Sequence, residues 1–405
     1  MLQRKLGTML LLMSVCVLFL TAVVGTVSPE ERLKQGLSPA DNLPPHITRL
    51  THFGERADFS HDGKRILFVE KTFGDAYEVE IATRIIRPVT HHYFHEGYTR
   101  ALYLPNGDIL LSGAKTFDAD NPWVSRNDTA ELWILDKSLT KPPVRLGEKC
   151  SEGPAVSRKN MRIAWTVDHG DYPDRMPQGV SQMWMADIEY ENGTRKLVNK
   201  KLILDSRDLP FKCGLETQNF RPPDEKELIF SAYGYQDTDV ISIDLETKKV
   251  VNYSEAPDQY DEPEGIFPDG KWTLVECDRA ARARGQRGSQ YIDIWKLRLD
   301  GSHYLERVTY FSDYPGYKAT NPVVSDDGRF MAFQMAKVAD PAGVGRGIFM
   351  YDFEKSTNDS SWPKTAKSPH APDEYIKPLH SQTGLVSACP LPSSTERLGV
   401  LSQNP

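Results

Sequence analysis

The sequence predicts an all-β fold, a six-bladed β-propeller whose last blade is completed by a strand from the N-terminal side. Three observations predict it. An apolar run, a tight polar turn and a second apolar run recur six times between residues 50 and 353. Helical periodicity is nearly absent over the same span. The sixth copy lacks a closing strand, and a matching one stands before the first copy.

The turns are SHDG (60–63), LPNG (104–107), SRKN (157–160), PPDE (222–225), FPDG (267–270) and SDDG (325–328). Their last residues are spaced by 44, 53, 65, 45 and 58 positions. A two-strand connection with a left-handed position wants Gly or Asn there, with Asp or Asn just before. Gly63, Gly107, Asn160, Gly270 and Gly328 satisfy that expectation, and Glu225 does not.

Each turn is followed by an apolar strand: RILFVE, DILLSGA, RIAWTV, ELIFSA, WTLVEC and FMAFQM. After a variable loop comes a further strand of the type WILD, MWMAD, VISIDL, DIWKLRLD or IFMYDF. Many copies then end in a short strand such as IIRPVT or LERVT. Repeats of about 45 residues carrying four short strands are the pattern of propeller blades. ITRLTHF (47–53) matches RVTYF (307–311) and supplies the strand that the sixth copy lacks, which leaves no open sheet edge around the ring.

FPDGKWTLVECDR, YIDIWKLRLDGS, LERVTYF and NPVVSDDGRFMAF together resemble the TolB-like propeller repeat. The resemblance is closest in blades 5 and 6, recognisable in blade 1 and thin in blades 3 and 4. It implies a six-bladed fold and little about activity, because such propellers serve as docking platforms, as peptidase domains and as lyase-like enzymes. Asp278 and Arg279 fall where the repeat carries a polar turn pair, so a structural role is expected of them.

Four segments are expected: a leader over 1–25, a Pro-rich spacer over 26–46, the propeller over 47–353 and an irregular Ser/Pro-rich tail over 354–405. The leader has Arg4 and Lys5 before the apolar run MLLLMSVCVLFLTAVVG, and directs the chain into the secretory pathway. At 17 apolar-to-small residues the run stands between a cleaved signal, which Val23 and Gly25 favour, and a type II membrane anchor. Membrane association is expected only if the run is retained. The sequons at Asn127, Asn192, Asn252 and Asn358 suit glycosylation in that compartment. Beyond Cys16 in the leader, Cys150, Cys213, Cys277 and Cys389 allow one or two disulfides in any of three pairings. The net charge of −7 argues against nucleic acid as a partner, and a monomer is expected.

In a propeller the first strand of each blade lines the central channel, so ligands bind where those strands begin. Five residues before each turn stand Glu55, Thr99, Glu152, Thr217, Glu262 and Thr320, three carboxylates alternating with three hydroxyls. Glu55, Glu152 and Glu262 are therefore candidate ligands for a divalent cation, since hard cations take oxygen donors. Arg56, Glu264 and Asn321 are expected to bind ligand beside them. The segment THHYFHEGYTR (90–100) enters blade 2, and its His91, His92 and His95 cannot all face one metal from an extended strand. One histidine, His92 or His95, as base, Tyr98 or Tyr260 as acid, and Arg100 or Arg56 as anion holder form the candidate catalytic set, which suits proton abstraction next to a carboxylate.

No GxSxG, HExxH, phosphate-loop or GxGxxG motif occurs. The expected function is a small polar ligand, an acidic saccharide among the candidates, held at the channel mouth, with lyase or isomerase chemistry as the sharper version. The alternatives are a non-catalytic interaction platform and a cyclase acting on a secondary metabolite.

Overall fold

A computed structural model describes residues 34, 36–150, 153–191, 193–340 and 343–358. Strand β1 (Ile47–Arg49) precedes the first blade, which is β2 (Glu55–Phe59), β3 (Arg65–Val69), β4 (Ala76–Glu80) and β5 (Ile86–Pro88). Blade 2 is β6 (Arg100–Tyr103), β7 (Ile109–Ala114), β8 (Ala130–Leu135) and β9 (Val144–Lys149). Blade 3 is β10 (Ala155–Val156), β11 (Arg162–Asp168), β12 (Ser181–Glu191) and β13 (Thr194–Asp205). Blade 4 is β14 (Gly214–Phe220), β15 (Glu227–Tyr233), β16 (Asp237–Asp244) and β17 (Val250–Asn252). Blade 5 is β18 (Gln259–Ile266), β19 (Trp272–Cys277), β20 (Asp293–Arg298) and β21 (Leu305–Arg307). Blade 6 is β22 (Tyr317–Val324), β23 (Phe330–Lys337), β24 (Ile348–Asp352) and, returning from the other end of the chain, β1.

Every blade is an antiparallel meander; a short parallel pairing of Asp237 and Thr238 with Gln259 and Tyr260 also joins blades 4 and 5 into one sheet. The apolar core lies between blades rather than within them. Leu67 meets Leu111 between blades 1 and 2, Leu110 joins Trp165 between 2 and 3, and Met183 joins Phe230 between 3 and 4. Ile229 with Val275, Leu274 with Phe333, and Ala332 with Phe68 complete the circle. The sixth cluster returns from blade 6 to blade 1, so the blades form a closed ring, a β-propeller.

Closure rests on β1, whose Ile47, Thr48 and Arg49 pair with Tyr351, Met350 and Phe349 of β24. In five blades a hydroxyl stands just past the closing strand and accepts from an N–H in the first half of the neighbouring third strand. Thr90 accepts from Ala76, Ser206 from Ser181, Ser254 from Val240 and Thr309 from Ile294, at 2.9 to 3.1 Å. Thr51 does the same for Ile348 at 2.8 Å. The residues RLT, PVT and RVT thus mark one repeated hydrogen bond, and Thr51 makes it across 297 positions.

At the turn end of the axis the blades are tied by charge. Arg158 of blade 3 reaches the opposite blade, donating to Asp326 through Nε and Nη2 at 2.8 and 2.6 Å. It also donates to the Phe59 carbonyl, and His61 contacts the other Asp326 oxygen at 2.8 Å. Glu225 explains its own departure from the turn pattern. It takes the left-handed position at φ 55°, and its carboxylate accepts from the Ser157 hydroxyl and the Arg158 N–H. Asn160 is the reverse correction: it is absent from the left-handed region that Gly63, Gly107, Gly270 and Gly328 occupy, and its N–H is bound by Ser157 Oγ instead.

Helices are short: α1 (Pro122–Asn127) and α2 (Arg279–Arg282) lie between second and third strands, and α3 (Phe353–Asn358) follows β24. The last corrects the expectation of irregular chain from residue 354, because the Asp352 carboxylate accepts from the N–H groups of Glu354 and Lys355 and starts a helix there. The expected leader, the sequon Asn192, Cys389 and the tail from 359 lie outside the described residues. Asn252, expected as a glycan acceptor, donates its amide to Asp239 and accepts from two backbone N–H groups, so in the folded protein it is committed. Cys213 and Cys277 are buried free thiols, which rules out a bridge between them, and burial pushes the Cys213 thiol up to about 12.

Thr51→Val leaves the buried Ile348 N–H without its acceptor, at a cost of about 1–3 kcal/mol. A melting temperature a few degrees lower is expected by calorimetry, with Thr51→Ser close to wild type; equal melting of all three proteins would refute the closing role of this hydroxyl.

Candidate ligand site at the channel mouth

The mouth is the end of the axis where the first strands begin, opposite the tight turns. There the first strands of blades 1, 4, 5 and 6 are bulged, between Glu55 and Asp58, Thr217 and Asn219, Pro263 and Gly265, and Thr320 and Val323. A bulge moves the following side chains off the face that strict alternation assigns them. The expected ring of Glu55, Glu152 and Glu262 rests on that strict alternation. Glu55 accepts from the Thr72 hydroxyl within its own blade at 2.7 Å, and Glu152 lies outside the described residues.

The residues next to the expected ring converge instead. Arg56 and Asn321 occupy the bulges of blades 1 and 6 in the left-handed region, at φ 55° and 49°. Non-glycine residues there carry backbone strain and need support. The same support serves both: Gln334 of blade 6 accepts from the Arg56 N–H, and Glu276 of blade 5 accepts from the Asn321 N–H, each at 2.5 Å. Asn321 Nδ2 in turn donates to Glu264 at 2.9 Å. Arg100 of blade 2 comes within 3.9 Å of Glu264 in blade 5, across the axis. Its path accounts for glycine at 153, where a Cβ would overlap the Arg100 side chain. Four of the expected residues, Arg56, Arg100, Glu264 and Asn321, are thus brought together.

Beside them lies a buried acidic group. One carboxylate oxygen each from Glu262, Glu264 and Glu276 falls within 4.8 Å of the others. Glu262 accepts from the phenol of Tyr260, and the Tyr233 hydroxyl lies between Glu262 and Glu216, 2.5 Å from the latter, so its one proton serves one carboxylate while the other contact is donated by a protonated carboxyl. Tyr260 therefore belongs to this site as expected, as a proton donor to Glu262. Burial, reinforced by the neighbouring carboxylates, holds both phenols well above their ordinary range. Burial also raises the carboxyl of Glu264, against the pull of Arg100, and raises Glu276 well above the usual range with Glu262 and Glu264 adding to it. Lys318 donates to the Ser289 carbonyl at 2.8 Å, and burial lowers its proton affinity although Glu276 and Glu262 oppose that. The oxygen donors of Glu262, Glu264 and Glu276 suit a hard divalent cation, and the same carboxyls can be balanced by protons together with Arg56, Arg100 and Lys318.

The histidines are placed elsewhere. His95 Nε2 contacts the Asp75 carboxylate at 3.0 Å while its Nδ1 accepts from the Gly97 N–H at 2.9 Å. With both nitrogens engaged it is neither a free base nor a metal ligand. Tyr98 is buried between blades 1 and 2, its hydroxyl 3.2 Å from that of Tyr93, and burial pushes it up to about 12. His91 and His92 are exposed on the connecting loop. The expected catalytic set therefore splits, with His92, His95 and Tyr98 on the flank and Arg100 and Tyr260 at the mouth. The structural reading of Asp278 and Arg279 holds: Asp278 accepts from Arg282 and from the Gly288 N–H, and Arg279 pairs with Asp261.

Sequence reasoning missed Glu216, Tyr233, Glu276 and Lys318. One signal was available for Glu276. In the runs DILLSGA, RIAWTV, ELIFSA, WTLVEC and FMAFQM the fifth residue is polar, Ser112, Thr166, Ser231, Glu276 and Gln334, among mostly apolar neighbours.

No family model and no curated protein matches the sequence. Similar solved structures are propellers of diverse activity. A manganese complex of an oligogalacturonate lyase is 14% identical, covering 77% of this chain and 81% of that one, with a TM-score of 0.45. A gluconolactonase from Xanthomonas campestris is 9% identical over 76% and 89%, with a TM-score of 0.48. TolB from Acinetobacter baumannii is 13% identical over 71% and 67%, with a TM-score of 0.38. At these similarities the fold rests on the blade topology described above, and the site must be argued from its own residues.

The raised Glu276 carboxyl gives a pH prediction with a definite sign. A group that holds its proton more tightly when folded favours the folded state less as pH rises from its ordinary value near ~4.5 toward the folded value. Glu276→Gln keeps an acceptor for the Asn321 N–H, as Gln334 does for Arg56, and removes the titration. The variant is expected to melt above wild type at pH 8, with the gap closing toward pH 4. A gap independent of pH would show that Glu276 is ionised without cost.

Proposed function

We propose that the channel mouth binds a small anionic ligand, an acidic saccharide in the sharper version, and carries out proton-transfer chemistry of the lyase or isomerase type. The observation that carries this reading is the convergence of Arg56, Arg100, Glu264 and Asn321 from four blades. Two guanidiniums supply anion recognition, and Asn321 and Glu264 supply hydrogen bonds that fix orientation. An elimination next to a carboxylate needs a group that takes the α-proton and one that protonates the leaving oxygen. Lys318, with its lowered proton affinity, suits the first role, and the protonated phenol of Tyr260 suits the second.

Arg100→Met is expected to weaken binding of a uronate oligosaccharide at least tenfold by calorimetry while leaving the melting temperature within a few degrees. Turnover is read as new ultraviolet absorbance from a conjugated unsaturated product, and Tyr260→Phe should abolish it. Saturable binding without turnover in wild type would leave a ligand-binding propeller without catalysis. Absence of binding would leave the interaction-platform reading.

A divalent cation is a second reading, favoured separately by the proximity of Glu262, Glu264 and Glu276. When bound it would supply a fixed positive charge for an anionic ligand. One manganese ion per chain is expected by equilibrium dialysis, lost in Glu264→Gln. Less than stoichiometric uptake by wild type would assign charge balance to protons, Arg56, Arg100 and Lys318.

A further inference from the structure

The loop between blades 1 and 2 carries Phe94, which is 87% exposed and so the most exposed large apolar side chain among the described residues. A single exposed phenylalanine is unremarkable, but this one borders a built cleft of about 140 Å³. Its floor is held rigid from below. The hydroxyls of Tyr93 and Tyr98 meet, His95 is clamped between Asp75 and Gly97, and Trp133 Nε1 donates to the Gly113 carbonyl at 3.0 Å. With those polar atoms engaged internally, what the floor presents to the cleft is ring surface. Pro142 and Pro143 complete the lining.

The rim carries positive charge. Lys115 lines this cleft and also a neighbouring open one of about 640 Å³, so it stands where the two meet. Neither Lys115 nor Lys141, which precedes the lining Pro142, has a hydrogen-bond or ion-pair partner among the described residues. On the same blade Arg145 is paired with Glu131, so Lys115 and Lys141 are the cations left to meet an anion at this rim. Glu96 is the acid on the cleft wall.

We propose that this cleft is a binding site for a ring-bearing carboxylate, its ring packed against Trp133 and Phe94 and its carboxylate paired with Lys115. Aromatic faces accept either an aromatic ring or the apolar face of a sugar ring, and both offer carboxylated forms. A lysine–carboxylate pair at an exposed rim contributes up to about 1 kcal/mol, roughly a fivefold change in affinity, so modest affinity is expected. The proposal does not rest on the channel-mouth reading, which invokes other residues.

Calorimetric titration of the full chain with phenylacetate, glucuronate and their neutral counterparts 2-phenylethanol and glucose tests it. At least one acid should bind saturably and its neutral counterpart at least fivefold more weakly; which acid binds identifies the kind of ring. Lys115→Met should weaken that acid about fivefold, Phe94→Ser should weaken it by a similar factor, and Glu96→Gln should tighten it. In the Arg100→Met background any channel-mouth component of glucuronate binding is removed, and the component that Lys115→Met weakens should remain. Both substituted positions are exposed, so unchanged circular dichroism and melting are expected. Binding unaffected by both Lys115→Met and Phe94→Ser, or binding lost only in Arg100→Met, would overturn the proposal, the latter in favour of the channel mouth. Saturable binding of neither acid would overturn it as well.

Discussion

Everything else in this protein depends on the pairing of β1 with β24. Three residues at the start of the fold complete the sheet at its end, and Thr51 fixes the register with a hydrogen bond to Ile348. Without closure, blade 6 would present an open edge and the apolar contact of Ala332 with Phe68 would have no reason to form. More consequentially, the mouth is assembled from blades that are far apart in sequence. Arg100 and Glu264 meet only because the ring brings blade 2 opposite blade 5, and the Arg158–Asp326 pair at the other end meets because blade 3 faces blade 6.

The interior of the ring therefore has two ionic levels of different character. At the turn end, Arg158, Asp326, His61 and Glu225 satisfy one another with short hydrogen bonds, and the network reads as a structural tie. At the mouth, carboxyls outnumber nearby cations and are raised by burial and mutual repulsion, while two strained bulges aim Arg56 and Asn321 inward. Strain and buried like charges are tolerated where function requires them, and here the supports that pay for them are visible in Gln334 and Glu276.

The histidine-rich entry to blade 2 illustrates how a composition signal changes meaning once packed. His95 ends as a clamp between Asp75 and Gly97, and Tyr98 as an interblade core residue. The same segment leaves Phe94 in solvent beside Trp133 and Lys115, so its chemical interest moves from the imidazoles to the rings around them.

By itself the sequence determined the propeller class, the four glycine turns, the second strands and the closing role of residues 47–53, because each of these follows from local alternation and turn chemistry repeated along the chain. It also placed Arg56, Arg100, Glu264 and Asn321 near the axis, within one or two residues of the aligned ring. The inward turn of Arg56 and Asn321 was decided by bulges supported by hydrogen bonds to side chains of the preceding blade, which are not written in any local pattern. Only the tertiary structure likewise separated Glu55, taken by Thr72, from Glu262, and added Glu216, Tyr233, Glu276 and Lys318 to the mouth. The physical reason is the same in each case: a ring of sheets turns residues far apart in sequence into neighbours, and burial among those neighbours sets their charge.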